Sequence, residues 1–173
     1  MQIVAFDADD MTNGGKAKIS WLMKDLLTTT HRMNATSTNE NGWPATEMRT
    51  WLRNTILPTI DSSIRSHIVD VNKTYYDYTD KTTETSSDNI WLASHREIFG
   101  SSAEDESSGV DYTSVYDSNN TRIKKRSGLP QSWWLRTASS DNATAFCRIH
   151  AQGYTSQIGA TGSNAVCIGF CTN

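Results

Sequence analysis

The chain reads as an α+β protein in which two short helices pack on a twisted antiparallel sheet and long polar loops join the elements. Three observations lead to that class. Between Pro44 and Ile68, apolar residues recur at three- and four-residue spacing, the period of a helix. From Trp133 onward the chain is a series of short alternating segments separated by turn residues, the period of half-buried strands. The intervening stretches are rich in Ser, Thr and Asn and poor in apolar residues. With 173 residues, 36% of them hydrophobic and six of them Trp, the chain can bury one core but not two, so residues 1–173 are read as a single domain.

Each element follows from local chemistry. Ile3 to Phe6 is a short strand, closed by the acidic turn Asp7-Ala8-Asp9-Asp10 and the turn signal Asn13-Gly14-Gly15; a second apolar stretch runs from Ile19 to Leu27. A chain that starts this close to a strand is compatible with a module of a longer fibre or virion protein and equally with a natural start. Pro44 suits the first turn of a helix, and Met48, Trp51, Leu52 and Ile56 then share one face until Pro58 ends it. Ile60, Ile64 and Ile68 stand four apart, which predicts a second helix against the sheet, and Val69 to Lys73 turns extended. Tyr75 to Asp88 is expected to be a Thr-rich polar loop.

The run Asn89 to Ser94 reads as a strand and His95 to Gly100 as a helical turn. Ser101 to Ser118 reads as an exposed loop; its carboxylates leave a calcium site open there, although their spacing matches no recognised cation loop. The sheet of the last third is built from WWLRT, FCRIH, YTSQI and AVCIGFC, with a turn at Ala151-Gln152-Gly153. Within it Cys147 and Ile149 share one face, Arg148 and His150 the other, and Val166, Ile168 and Phe170 again share a face. One buried and one decorated side are implied.

Charge and composition narrow the partners. The formal charge of −3, without a basic stripe, argues against nucleic acid or anionic lipid as a partner. Arg122 to Arg126 is the sole basic cluster, and a run of that size is ordinarily a solvated face rather than a phosphate site. No segment approaches the roughly 18 consecutive apolar residues that span a bilayer, so membrane insertion is not expected. The N-terminus lacks the pattern of a secretion signal, and export would need help from elsewhere. Cys147, Cys167 and Cys171 leave at least one thiol unpaired, which fits synthesis in a reducing bacterial cytoplasm. Zinc would need a fourth ligand, and His150, the one histidine near them in sequence, lies in an alternating strand; no metal and no cofactor are assigned. Ser, Thr and Asn number 54, a supply of hydroxyls and amides that suits adhesion and also suits inert virion proteins.

Taken together, KAKISWLMKDLL, TTTHRMNAT, NGWPATEMRTWLRNT, NIWLASHREIFG, WWLRT and the closing IGFC resemble a bacterial and phage domain family of unknown function. That family is similar to the C-type-lectin and formylglycine-generating-enzyme-like superfamily. The resemblance implies a C-type-lectin-like fold and a place on a phage tail, virion or bacterial cell surface, as a receptor-binding or adhesion domain whose partner is a host cell-surface protein or glycan. A homotrimer or larger virion assembly is compatible with that setting; no heptad or collagen-like stalk in the sequence enforces one. Some relatives resemble variable proteins of diversity-generating retroelements, in which a C-terminal tract is rewritten at adenine positions.

The equivalent tract here is about Thr137 to Ile168. Its candidate ligand-binding residues are Ser140, Asp141, Asn142, Thr144, Arg148, His150, Tyr154, Ser156, Ile158, Gly159, Thr161, Ser163 and Asn164, with Ser139 beside them. Most are reachable from an Asn-type codon by changing adenines; Gln152 and Gln157 are not if the third base is a fixed pyrimidine. Trp133, Trp134, Leu135, Phe146 and Phe170 are expected to fill the core, and one of the adjacent Trp pair to face outward at most. Tyr154, just past the turn, is either a paratope-like contact with Arg148 and His150 nearby or an edge aromatic covering the sheet. No catalytic residue is assigned. Cys147 and His150 point to opposite faces, and Cys167 and Cys171 lie about 13 Å apart along a strand, too far for a dithiol metal site. No phosphate loop, HExxH pattern or nucleophile elbow occurs. Two other readings stay open: a non-catalytic structural virion or fibre module, and an enzyme of formylglycine-generating-enzyme-like type.

Overall fold

A computed structural model describes residues 1–100 and 106–173. Strand β1 (Gln2–Phe6) runs antiparallel to β2 (Ile19–Leu22), with a bulge between Ile3 and Ala5. The turn between them depends on glycine: Gly14 and Gly15 hold φ of 96° and 80°, a region that disfavours any side chain with a Cβ. The short β3 (Thr30–His31) follows. A 3₁₀ turn at Trp43–Ala45 contains Pro44, and helix α1 (Glu47–Trp51) begins one step later, capped by Thr46, whose Oγ1 accepts from the Arg49 amide at 3.1 Å. The helical path continues through a wider π turn at Leu52–Ile56 and a 3₁₀ turn at Leu57–Thr59, past Pro58 by one residue. Met48 and Leu52 are fully buried, with Trp51 and Ile56 packed at the margin of the core, so the expected helical face is real.

The second helix is not what the isoleucine spacing predicts. α2 (Ser62–Arg65) is a single turn capped by Asp61. Ile64 is 46% exposed. Ile68 already belongs to the next strand, β4 (Ile68–Val69), where it pairs with Thr172. A helix of one turn has little face to bury and is marginal by itself, and pairing with β14 instead places Ile68 and Val69 on the sheet edge. The Tyr75 to Asp88 segment, expected as a loop, is also different. It supplies most of a regular hairpin of β5 (Val71–Asp77) and β6 (Thr82–Asp88), in register from Val71↔Asp88 to Asp77↔Thr82. Threonine's branched Cβ favours strands, and here its polarity marks the solvent face of the ribbon rather than a loop.

β7 (Trp91–Leu92) and α3 (His95–Phe99) match the sequence reading; Ser94 and Glu97 form a capping box at the start of α3. Residues 101–105 of the expected calcium loop lie outside the described residues. In the remainder most residues are exposed, as expected of a loop, while Glu106, Tyr112 and Tyr116 are buried and anchor it. One-turn α4 (Asn119–Arg122) leads to a ribbon of β8 (Lys124–Arg126) and β9 (Leu129–Gln131). The basic run is broken there: Lys124 turns inward, its Nζ donating to the Met23 carbonyl and the Tyr116 hydroxyl.

The last third forms β10 (Trp133–Ala138), β11 (Ala145–Ile149), β12 (Thr155–Gly159), β13 (Asn164–Ala165) and β14 (Ile168–Thr172). They do not make one sheet. One five-stranded sheet has the order β12-β11-β10-β13-β3, with β13 parallel to β10; β14 leaves for the other, ordered β1-β2-β14-β4 with β7 also on β14. Nor does β10 have a decorated side, since all six residues are buried. Trp133 and Trp134 point to opposite faces, and both are covered; their Nε1 groups donate to Arg122 O at 3.1 Å and His31 O at 2.7 Å. β14 is likewise buried from Ile168 to Cys171, and the Trp91 ring occupies the space a Cβ on Gly169 would need, at 2.3 Å. Val166 lies before the strand and is buried with its neighbours. The mixed fold is thus mostly sheet with few short helices.

The turn joining β11 to β12 is fixed by Gly153, at φ 87°, where an added Cβ would stand 1.9 Å from Asn119 O. Gly153→Ala is therefore expected to destabilise the chain by about 2 kcal/mol, because neither the backbone angle nor the contact can relax cheaply. Urea unfolding followed by Trp fluorescence measures it; an unchanged midpoint would show that this turn is not held against Asn119.

Candidate functional site

The sequence-predicted residues divide between the two ends of the β11–β12 hairpin. At one end are the loop before β11 and the loop after β12. Asp141, Asn142, Thr144, Thr161 and Ser163 are exposed there, and Ser140 is half-buried. The loop from Ser139 to Ala145 is clasped from below by Asn39, whose Nδ2 donates to the carbonyls of Ser139, Asn142 and Ala145 at 2.8–3.1 Å. Asn142 Oδ1 accepts from the amide and hydroxyl of Thr144, at 3.0 and 2.7 Å. Hydrogen bonds from Ser139 and Gln157 hold the Asp141 carboxyl below the usual range. Ser163 Oγ meets Thr30 Oγ1 at 2.9 Å, which joins the tract to the N-terminal third.

At the other end Tyr154 is 42% exposed, and its ring stacks on His150 with centroids 4.4 Å apart. His150 N donates to Tyr154 O at 2.8 Å, which closes the turn under the stacked pair. Between the ends, Arg148 Nε donates to Ser156 Oγ across the strands at 3.0 Å. A five-residue strand separates the two groups by roughly 17 Å, so one small ligand does not reach both.

Some predicted positions are not displayed. Ser139 and Asn164 are buried, because the first holds the loop together and the second pairs with His31 inside the sheet. Ile158 packs against the core, its place set by pairing with Phe146, and Gly159 pairs with Ala145 at the strand end. Gln152 and Gln157, excluded on codon grounds, are exposed on this same surface.

Sequence reasoning missed a second feature, a charged network in the interior. Lys73 Nζ lies 2.5 Å from Asp9 Oδ1 and 2.9 Å from Glu97 Oε1, and Glu97 takes two further contacts from Arg136, at 2.7 and 3.0 Å. All four residues are essentially inaccessible. Arg136 also donates to Leu92 O and Thr74 O, which ties β10 to β7 and β5. Burial by itself would raise the Asp9 carboxyl, but the Lys73 charge and hydrogen bonds from Lys73, Ser20 and Tyr112 outweigh it and hold the group at about 2. Glu97 is likewise lowered, burial being overcome by Arg136 and Lys73. Glu106, which accepts from the Arg96 amide and the Thr137 hydroxyl, is raised by burial. A cleft of about 500 Å³ lies over the network, lined by Asp10, Lys16, Asn72, Thr74, Ser108 and Gly109 as well as Asp9, Lys73 and Glu97. The available signal was weak: an arginine inside WWLRTA and a lysine inside VNKTYY, cations in strands that otherwise read as core. No group of His, Cys, Asp and Glu among the described residues has the arrangement of a metal site.

A family model described as a domain of unknown function, DUF6273, matches residues 19–170. No curated protein and no solved structure matches the chain.

Glu97→Gln leaves Arg136 without its counter-ion and is expected to cost about 3 kcal/mol. The sign with pH follows from the lowered carboxyl: its contribution is complete above the unfolded glutamate value of about 4.3 and is lost as pH falls below it. Urea midpoints at neutral and acid pH test this. The gap between wild type and variant should narrow in acid, and a gap that widens would contradict the ion-pair assignment.

Proposed function

The chain belongs to the DUF6273 family, and on that premise we propose that it is a non-catalytic ligand-binding domain, carried on a phage tail or bacterial cell surface and directed at a host surface protein or glycan. The observation that carries this reading is the exposed Tyr154 ring, held on His150 at the tip of a hairpin whose neighbouring strand β10 is buried throughout. A rigid aromatic with a polar edge gives contact area at small entropic cost, and the fixed strand beneath lets outward side chains change without disturbing the core. The interior charges are turned toward one another, which favours a use within the chain over turnover of an external substrate.

The finer proposal is a C-type-lectin-like domain whose tract from Thr137 to Ile168 is diversified by a retroelement. It is supported by the exposure of Asp141, Asn142, Thr144, Tyr154, Thr161 and Ser163 on loops and turn, with Arg148 and Ser156 half-exposed between them. A second reading, a structural virion or fibre module, is favoured by one observation: edge strand β1 exposes Ile3 and Phe6, beside Met1.

Deep sequencing of the gene across a population of its source tests the diversification. Substitutions at adenine-derived codon positions between Thr137 and Ile168, with the WWLR and GFC segments constant, are the expected outcome; an even spread of changes removes it. For the binding surface itself, Tyr154→Ala should weaken adhesion of the labelled domain to its host cells by roughly thirtyfold, about 2 kcal/mol, with Tm unchanged. Equal adhesion by the variant would displace Tyr154 from the contact surface.

A further inference from the structure

Three side chains from distant parts of the chain meet in the interior in an arrangement that ligand binding leaves unused. Asp9 stands in the turn after β1, Lys73 in β5 and Glu97 in α3. The Lys73 ammonium lies 2.5 Å from Asp9 Oδ1 and 2.9 Å from Glu97 Oε1, with the Trp91 ring centroid 3.7 Å away. The other carboxylate oxygen, Asp9 Oδ2, accepts hydrogen bonds from the Ser20 and Tyr112 hydroxyls, the second at 2.9 Å, and Cys171 Sγ lies 3.5 Å from it. An amine, a carboxyl group, a second carboxylate touching the amine, and two hydroxyl donors on the far oxygen are the parts needed to make an amide.

We propose that Lys73 and Asp9 condense within the folded chain into a side-chain amide, with Glu97 moving the protons, so that β5 becomes covalently joined to the turn behind β1. The resting pair is ionised, and reaction starts from the minor form in which one Nζ proton has passed to Asp9 Oδ1. The neutral amine attacks Cγ, and the developing negative charge on Oδ2 is met by the Ser20 and Tyr112 hydroxyls, as in an oxyanion hole. Glu97 takes a proton from the nitrogen and delivers it to Oδ1, which leaves as water. One C–N bond forms and one C–O bond breaks, nothing is oxidised or reduced, and the cleft above Asp9 and Lys73 gives the water a way out.

Two physical terms favour the step here and not in free solution. Holding the groups in contact replaces an encounter by a fixed approach, worth an effective molarity of about 10⁵ M or more in well-aligned cases. Bulk water, whose excess in free solution drives the reverse hydrolysis, is kept from a site where both partners are about 1% exposed or less. Condensation removes one cation and one anion together, and Glu97 keeps its two contacts with Arg136, so no charge is stranded. Because the reactive form is a minor one, the bond accumulates after folding as a slow first-order process.

Intact mass under denaturing conditions, followed over days on freshly purified folded chain, decides the matter. The expected result is a species lighter by one water, with the tryptic peptides bearing Asp9 and Lys73 recovered as a single branched peptide. Lys73→Met should retain its full mass, and Glu97→Gln, where it folds, should lose water more slowly than wild type. If the folded wild-type chain keeps its full sequence mass throughout, or loses water at any other pair of residues, the proposal is overturned whatever the variants do.

Discussion

The contact on which most of the structure leans is the paired grip of Arg136 on Glu97. Arg136 lies in β10, all six residues of which are buried, and its guanidinium reaches Glu97 through two nitrogens while donating to carbonyls of Leu92 and Thr74. Four elements, β10, β7, β5 and α3, are thereby fixed to one planar group. Glu97 in turn caps its own helix through the Ser94 amide at 2.8 Å and holds Lys73, which reaches Asp9 behind β1. A buried guanidinium is tolerable only when its donors are matched, and this constraint dictates where four chain segments converge.

From that anchor the two halves of the molecule acquire different tasks. The segment after Glu106 is drawn inward, with the Tyr112 amide donating to Glu97 O at 2.8 Å and the Glu106 carboxyl seated on Arg96 N and Thr137 Oγ1. Farther along β10, Ser139 opens the loop that Asn39 clasps. The same strand therefore closes the charged interior at its middle and supports the displayed loop at its end. Outward residues on β11, β12 and their loops rest against β10, which is paired on both sides and buried throughout, and such fixed backing is the condition for a surface that tolerates varied side chains.

Local pattern was enough for the mixed α+β class, β1 with its glycine turn, the helical face of Met48 and Leu52, the β7–α3 step, the β11–β12 hairpin and the exposure of Tyr154. These depend on periodicity and turn chemistry, which act within a few residues. Patterns whose meaning depends on a partner were misread. The threonines from Tyr75 to Asp88 signal a loop or a solvated strand alike until the pairing of β5 with β6 chooses. The spacing of Ile60, Ile64 and Ile68 suggests a helix until the edge of β14 claims Ile68.

The residues of the interior network lie up to 127 positions apart, from Asp9 to Arg136, and no local spacing relates them. The sequence by itself determined which segments are apolar, where the chain turns, and which C-terminal residues are polar enough to display. Tertiary structure alone decided that β14 leaves the C-terminal sheet to pair with β2, that both tryptophans of β10 are buried, that Asn164 and Ile158 face inward, and that two cations and two carboxylates share one enclosed site. The physical reason is that burial of a charge or of a second strand face depends on what packs against it, and those partners come from chain segments that local sequence does not connect.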